Sequence, residues 1–387
     1  EGDDSLIGGN NGEIWEDLYG REGDDTLIGN SGNNYYQPGS GNDSIVGGAD
    51  LDFLDYYWDT PQTGITVVFT SEGGGQVTND GDGGVDTFSG IEIVRGTNLG
   101  DSMVGAAGLQ SFRGLGGSDT IDGGAGDTDW VTYSNTADKG GFQGVIINFG
   151  TGTFLDTFAN LAVVSNVENV WGSDWGDSVT GIDGTSHEFV GNGGNDTLTG
   201  ANGADSITGD IGADTLRGGA GADTLEGGAD GDRLEGGTGA DSLDGGDGND
   251  TAYGGGSDND TLNGGRGTDL LFGELGDDVM NGGDGFDNLR GGAGADTLDG
   301  GNGNDSLYGG TGFDSLTGGV GNDLIYGGPS GNDTLVGSEG NDEMYGEAGA
   351  DILQGGDGMD TLRGGSGNDQ LFGGNDDDLI EGGSGND

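Results

Sequence analysis

From residue 196 to residue 387, a single apolar residue recurs every nine positions among polar and glycine neighbours, each time two places after an aspartate. The aspartates are Asp196, Asp205, Asp214, Asp223, Asp232, Asp241 and Asp250. After one extra residue they continue as Asp260, Asp269, Asp278, Asp287, Asp296, Asp305, Asp314 and Asp323, and after a second, near Pro329, as Asp333, Asp342, Asp351, Asp360, Asp369, Asp378 and Asp387. Of these 22 repeats 21 are complete, and their apolar position runs Leu198, Ile207, Leu216 and onward to Ile380, with Ala252 the one residue other than Leu, Ile or Met. A glycine stands four places after the aspartate in every complete repeat, and another two places before it except where Asp230, Asp258 and Asp376 replace it.

One inward-pointing side chain in nine predicts a strand of about three residues, and the glycine-rich remainder a tight turn with positive φ angles. Two strands and two turns, 18 residues, close one coil, and coils stack with parallel strands roughly 4.8 Å apart. A core one leucine deep per strand is thin, while the stacked turns crowd the repeat carboxylates. A cation resolves that conflict: carboxylate and carbonyl oxygens are hard ligands, and their number and looseness favour Ca²⁺ over Mg²⁺.

Residues 1–195 carry a longer period. YYQPGSGNDSIVGG (35–48), FRGLGGSDTIDGG (112–124) and FVGNGGNDTLTG (189–200) align on Asp43, Asp119 and Asp196, in steps of 76 and 77 residues. Between them LDFLDY (51–56) matches TDWVTY (128–133), GITVVF (64–69) matches GVIINF (144–149), and IEIVRGTNLGDSMVG (91–105) matches VENVWGSDWGDSVTG (167–181). The division this suggests is 1–50, 51–127, 128–195 and 196–387, with β-rich inserts interrupting the nonapeptide coils of the first half. Where the register calls for aspartate stand Asn34, Gln110 and His187, each followed two places later by Tyr36, Phe112 or Phe189. These turns read as weak or absent metal sites offset by aromatic cores. His187 reads as a degenerate turn residue, and Trp58, Trp130, Trp171 and Trp175 as insert core rather than a sugar platform. Asp80, Asp82 and Asp86 in the loop NDGDGGVD offer one further calcium loop, without the closing glutamate of an EF-hand.

Composition narrows the function. The 387 residues include 99 glycines, 71 acidic and 9 basic residues, for a formal charge of −62. Three prolines and no Gly-X-Y register exclude collagen. Eight arginines and Lys139 supply no cationic face for nucleic acid, and an anionic polymer or membrane surface would be repelled. There is no cysteine and one histidine, so thiolate sites, His-cluster sites and a Ser-His-Asp constellation are excluded, and no run is long and apolar enough to span a membrane. With so many acids, a carboxylate pair at glycosidase spacing carries no information. The expectation is a protein that is not an enzyme.

The unit G-G-x-G-x-D-x-U-x, whole in GGAGADTLDG (291–300) and GGNGNDSLYG (300–309), resembles the RTX, or haemolysin-type calcium-binding, family. The resemblance implies an all-β, right-handed parallel β-roll with Ca²⁺ held between a turn and the turn two repeats later, by Asp carboxylates and Gly-turn carbonyls. Carried onto this chain it stacks Asp196 over Asp214 and so on to Asp369 with Asp387, and makes ligands of those 22 aspartates together with Asp43 and Asp119, for on the order of 20 ions. The lengthened turns Gly254–Asp260 and Gly327–Asp333, and the sites of Asp230, Asp258 and Asp376, are expected to ligate less well. It also implies an extracellular segment of a secreted bacterial protein of the type I secretion kind, folding on external calcium and serving as scaffold or spacer. Two alternatives are a self-assembling filament or surface layer, and a carbohydrate-binding or epimerase-associated module. Both chain ends interrupt a repeat, which reads as continuation in a larger polypeptide or as head-to-tail association.

Overall fold

The computed structural model describes residues 2–8, 16–57, 62–126, 128–134, 141 and 143–387; Trp58 and Lys139 fall outside them. Among the described residues every regular element is a β-strand. They form two compact units, Glu1–Gly194 and Asn195–Asp387.

In the second unit consecutive strands alternate between two parallel sheets. Thr197–Asn202 pairs with Thr215–Ala220, which pairs with Arg233–Thr238, while Ser206–Ile211 pairs with Thr224–Ala229 in the other sheet. The register is one coil of 18 residues, Leu198 beside Leu216 and Ile207 beside Leu225. Across each extra residue it becomes 19, as Leu243 beside Leu262 and Leu316 beside Leu335 show. The repeat leucines are buried on both sides of this stack, with Leu216, Leu234, Leu289 and Leu307 at 0 % exposure.

In this unit the strands are five to seven residues long, not about three. Thr215–Ala220 buries Leu216 and then Gly218, a period of two that continues into the glycine run. The reason is that a glycine facing inward keeps the strand going where a side chain could not fit. The left-handed conformation falls at the next residue, Gly219 at φ 113°, and again at the turn glycine Gly221 at φ 141°. At these two positions a Cβ would stand 1.9 and 1.6 Å from carbonyl oxygens of the preceding coil, so coils approach too closely for a side chain.

The first unit builds the same two-sided stack with interruptions. One sheet is parallel throughout, its inward row running Tyr36, Leu54, Val94, Phe112, Val131, Val170 and Phe189. The three aromatics expected to thicken this core do so: Tyr36, Phe112 and Phe189 are fully buried. The other sheet takes in each insert as an antiparallel excursion. Thr66–Ser71, Gly74–Asn79 and Asp86–Ser89 form an antiparallel run, whose first strand pairs in parallel with Ser102–Val104 and whose last with Ser44–Val46. The second insert repeats the plan with Ile146–Asn148, Thr153–Leu155 and Leu161–Ser165, joined in parallel to Ser178–Thr180 and Thr120–Asp122. The inserts thus lengthen the sheet without leaving it, which explains their longer β-branched runs.

Candidate metal centre

Each repeat aspartate closes the turn that precedes its strand and is wired to the next coil. Its carbonyl accepts from the residue after the next coil's aspartate, as from Arg233 N–H to Asp214 O at 2.9 Å. Its N–H donates to Oδ1 of the aspartate one coil on: Asp214 to Asp232 at 2.7 Å, Asp232 to Asp250 at 2.7 Å, Asp287 to Asp305 at 2.8 Å. The same bond joins Asp196 to Asp214, Asp205 to Asp223, and so on to Asp369 with Asp387. Two ladders of carboxylates therefore run along the unit, one beside each sheet, with the 18-residue step expected from the sequence.

Only one carboxylate oxygen is used in this wiring. From Asp214 through Asp369, Oδ2 of every ladder aspartate is buried and has no hydrogen-bond partner. A buried acceptor without a donor costs about 1–3 kcal/mol, and more when it is charged. Each Oδ2 faces the glycine five places earlier, or six at the lengthened turns of Asp260 and Asp333. A Cβ on Gly209 would meet Asp214 Oδ2 at 2.3 Å and the Gly227 carbonyl at 2.7 Å; on Gly236 it would meet Asp241 Oδ2 at 2.5 Å and the Gly254 carbonyl at 2.7 Å. That oxygen-lined cradle is why glycine holds this position in every complete repeat.

Burial sets the electrostatics. Loss of hydration pushes Asp232, Asp241, Asp296, Asp305, Asp333 and Asp342 up to about 7, the backbone N–H bond opposing and repulsion from neighbouring ladder aspartates adding to it. Asp250, Asp260 and Asp287 are raised to about 6 for the same reason. Like charges in a desolvated row are strained when ionised and relieved by either a proton or a cation.

The residues present fit calcium. Carboxylate Oδ2 atoms and glycine carbonyls are hard oxygen donors, and no three acidic or histidine side chains cluster among the described residues. Backbone carbonyls must therefore complete any coordination shell, as the turn geometry allows. When bound, calcium supplies the positive charge that the row of Oδ2 atoms lacks.

At the turns expected to ligate less well, the hydrogen-bond ladder itself is unbroken. At the lengthened turns the ladder takes a 19-residue step and stays intact, Asp241 donating to Asp260 at 2.9 Å and Asp314 to Asp333 at 3.0 Å. Asp230 and Asp376 accept the left-handed region at φ 77° and 74°, which aspartate tolerates better than most residues. Asp378 lies less buried than its predecessors and Asp387 is exposed, so the candidate ligands are not equivalent.

In the first unit the ladder is broader than Asp43 and Asp119. Asp4 N–H donates to Asp25, Asp25 to Asp43, Asp43 to Asp86, and Asp101 to Asp119. On the opposite side Asn34 donates to Asp52, Asp52 to Glu92, Gln110 to Asp129 and Asp129 to Glu168. Asp119, desolvated and beside Asp101, is raised to about 8. The inserts hide these partners: the steps across them are 43 and 40 residues rather than 18. Exact spacing could not reveal the partners across the inserts, whereas Asp25 and Asp101, in G-D-D at 23–25 and G-D at 100–101, stand the regular 18 residues before Asp43 and Asp119. A second ladder also went unread, in which the residue before the aspartate bonds backwards, as Asn322 N–H to Asn304 Oδ1 at 2.7 Å and Asn341 N–H to Asn322 Oδ1 at 2.7 Å.

Asn34 and Gln110 replace aspartate yet keep their N–H bonds to Asp52 and Asp129. His187 is buried, its ring nearly parallel to those of Phe149 and Phe189, which also stack on each other, with Nδ1 2.6 Å from Glu168 O. In the loop Asp80–Asp86 the three candidate carboxylates have different surroundings, and Asp80 Oδ2 is buried without a hydrogen-bond partner. Asp80 Oδ1 accepts N–H bonds from Asp82, Gly83 and Gly84 to close a turn, Asp86 belongs to the ladder, and Asp82 is exposed. Of the described tryptophans expected as insert core, Trp130 is partly buried while Trp171 and Trp175 are 45 % and 41 % exposed; Trp171 faces outward because Val170 takes the inward position of its strand.

Stacked parallel coils carrying a buried row of unpaired carboxylate oxygens beside glycine turns define a calcium-binding β-roll. The chain belongs to the RTX family: the pattern of the RTX calcium-binding nonapeptide repeat matches residues 13–45, 39–57, 95–128, 190–225, 226–258, 254–289, 272–307, 281–316, 300–329, 330–361 and 354–387. Comparison with curated proteins found no match.

Proposed function

We propose that this chain is a non-catalytic scaffold or spacer of a secreted bacterial protein, which stays unfolded in the low-calcium cytoplasm and folds on the millimolar calcium outside. The observation that carries this reading is the row of buried Oδ2 atoms from Asp214 to Asp369 without hydrogen-bond partners. Each repeat buries one large apolar side chain, worth about 1.5–3 kcal/mol, against the ordering of nine residues and the desolvation of a carboxylate. Binding free energy from the metal is then folding free energy. A formal charge of −62 keeps the calcium-free chain expanded, which suits export through a narrow conduit. Far-ultraviolet circular dichroism and small-angle scattering test the reading. Unfolded, extended chains in chelator that become a compact β-rich form in millimolar calcium support it; the same compact form in both rejects the switch.

A further inference from the structure

Outside the carboxylate ladders, the first unit carries a cleft of about 380 Å³ on the outer face of its parallel sheet, lined by Phe53, Ile93, Ser111, Arg113, Trp171 and Asp174 among others. Its singular member is Arg113. In a chain of charge −62, most described arginines are satisfied: Arg95 by Asp55, Arg217 and Arg233 by Glu235, Arg266 by Asp247, Arg363 by Glu343 and Glu381. Arg21 is exposed, and Arg290 is exposed and lies over Phe272 and Tyr308. Arg113 alone is both withdrawn from water and without a carboxylate in ion-pair distance among the described residues. Desolvation, with Arg95 next to it in register, lowers it to about 10.

Its surroundings hold the guanidinium still and leave it open. Nε donates to Thr132 Oγ1 at 3.1 Å and one Nη to Ser134 Oγ at 2.9 Å, so both hydroxyls keep a proton to donate. The other Nη makes no hydrogen bond among the described residues. Trp171 stands over the same cleft, 45 % exposed, with its indole N–H fixed on Asn192 Oδ1 at 2.6 Å and Asn192 in turn donating to Gly172 O at 2.8 Å. An exposed indole with a locked orientation is a preorganised flat apolar surface. Asp174, exposed on the rim, presents carboxylate oxygens that can accept hydrogen bonds from hydroxyls.

We propose that this cleft binds a carboxylated sugar, a hexuronic acid residue, with its carboxylate on Arg113, its ring face on Trp171 and its hydroxyls on Asp174 and the Ser/Thr side chains. The elements select one another. The unengaged Nη, beside the remaining proton of the engaged one, offers its donors to a carboxylate; the flat indole suits the C–H face of a pyranose rather than a small acid; the rim carboxylate and the hydroxyls ask for a polyol rather than an aromatic acid. The charge of the remainder of the chain does not prevent this, because screening at physiological salt confines its reach to roughly 8 Å.

The test uses the full chain loaded with calcium at 0.15 M salt, with D-glucuronate, D-galacturonate, D-glucose and acetate as probes in ligand-observed nuclear magnetic resonance titrations. At least one uronate is expected to bind in the millimolar range, about tenfold more tightly than glucose or acetate, a difference of about 1.4 kcal/mol. Arg113→Gln should bring the uronate down to the level of glucose, and Trp171→Ala, at an exposed position, should weaken it about tenfold. Should Arg113→Gln fail to fold, Arg113→Lys keeps the charge without the fork and is expected to lose severalfold. Uronates that bind no better than glucose, or that bind equally well to these variants, overturn the proposal.

Discussion

Removing calcium and lowering pH should act in opposite directions on this fold. Nine ladder aspartates, Asp232, Asp241, Asp250, Asp260, Asp287, Asp296, Asp305, Asp333 and Asp342, are raised to about 6 or 7 by burial. In the unfolded chain the same groups titrate near the ordinary aspartate value of about 3.9. A folded-state pKa above the unfolded one means that the folded chain binds more protons. Its contribution to stability is full below about pH 4 and is lost as pH rises through 6 to 7. If all nine groups took up a proton independently the dependence would be extreme. Water reaching the turns and coupling along the rows reduce it, and about three protons is a conservative figure, equivalent to roughly 4 kcal/mol per pH unit. In chelator, therefore, circular dichroism should report a β-rich fold at pH 5 that disappears towards pH 7.5. Millimolar calcium should restore that fold at pH 7.5, and potentiometric titration should register proton uptake on acid folding. Asp287→Asn with Asp305→Asn should flatten the pH dependence, since neither side chain titrates, whereas Asp244→Asn on the exposed surface should not. A calcium-free fold that strengthens or stays level as pH rises from 5 to 7.5 would refute the desolvated-carboxylate reasoning.

The remaining expectations concern single positions. Asp287→Asn keeps the acceptor for the Asp269 N–H, 2.8 Å away, while removing one charged oxygen. It should raise the calcium concentration at half-folding and lower the ion count in calorimetry, and unchanged values would remove Asp287 from the ligand set. Gly236→Ala places a methyl 2.5 Å from Asp241 Oδ2 and should cost about 1–3 kcal/mol in urea denaturation with calcium present. Gly256→Ala, in a lengthened turn with its nearest atoms at 3.2 Å, should cost less than about 1 kcal/mol. Leu298→Ala, at 1 % exposure, should cost about 2–5 kcal/mol with or without its neighbouring calcium ligands altered.

The legible and illegible parts of the chain divide along a physical line. Asp196 over Asp214 and Leu198 beside Leu216 followed from spacing, because a parallel coil repeats every position at a fixed chain length. The aromatic substitutes Tyr36, Phe112 and Phe189 followed for the same reason. Strand length did not, because glycine reads as turn in sequence, yet in this fold the glycine at Gly218 faces inward within a strand. The ladder partners Asp86, Glu92 and Glu168 were missed because an antiparallel insert separates residues that touch by some 40 positions. The exposed state of Trp171 was missed because alternation places it outward only once Val170 is known to face in. Single-residue insertions put ligation at Asp260 and Asp333 in doubt from spacing alone, whereas the turn absorbs the extra residue and keeps both aspartates in the hydrogen-bond ladder.

The central claim is that the buried Oδ2 rows are where calcium goes. Crystals grown with calcium and measured at a wavelength where calcium scatters anomalously test it most directly. Two lines of anomalous peaks are expected along the second unit, each peak bonded to ladder Asp Oδ2 atoms and turn carbonyls, including those of the coils holding Asp260 and Asp333. Peaks confined to the exposed acidic side chains such as Asp244 and Asp299, with the Oδ2 rows bare, would contradict it.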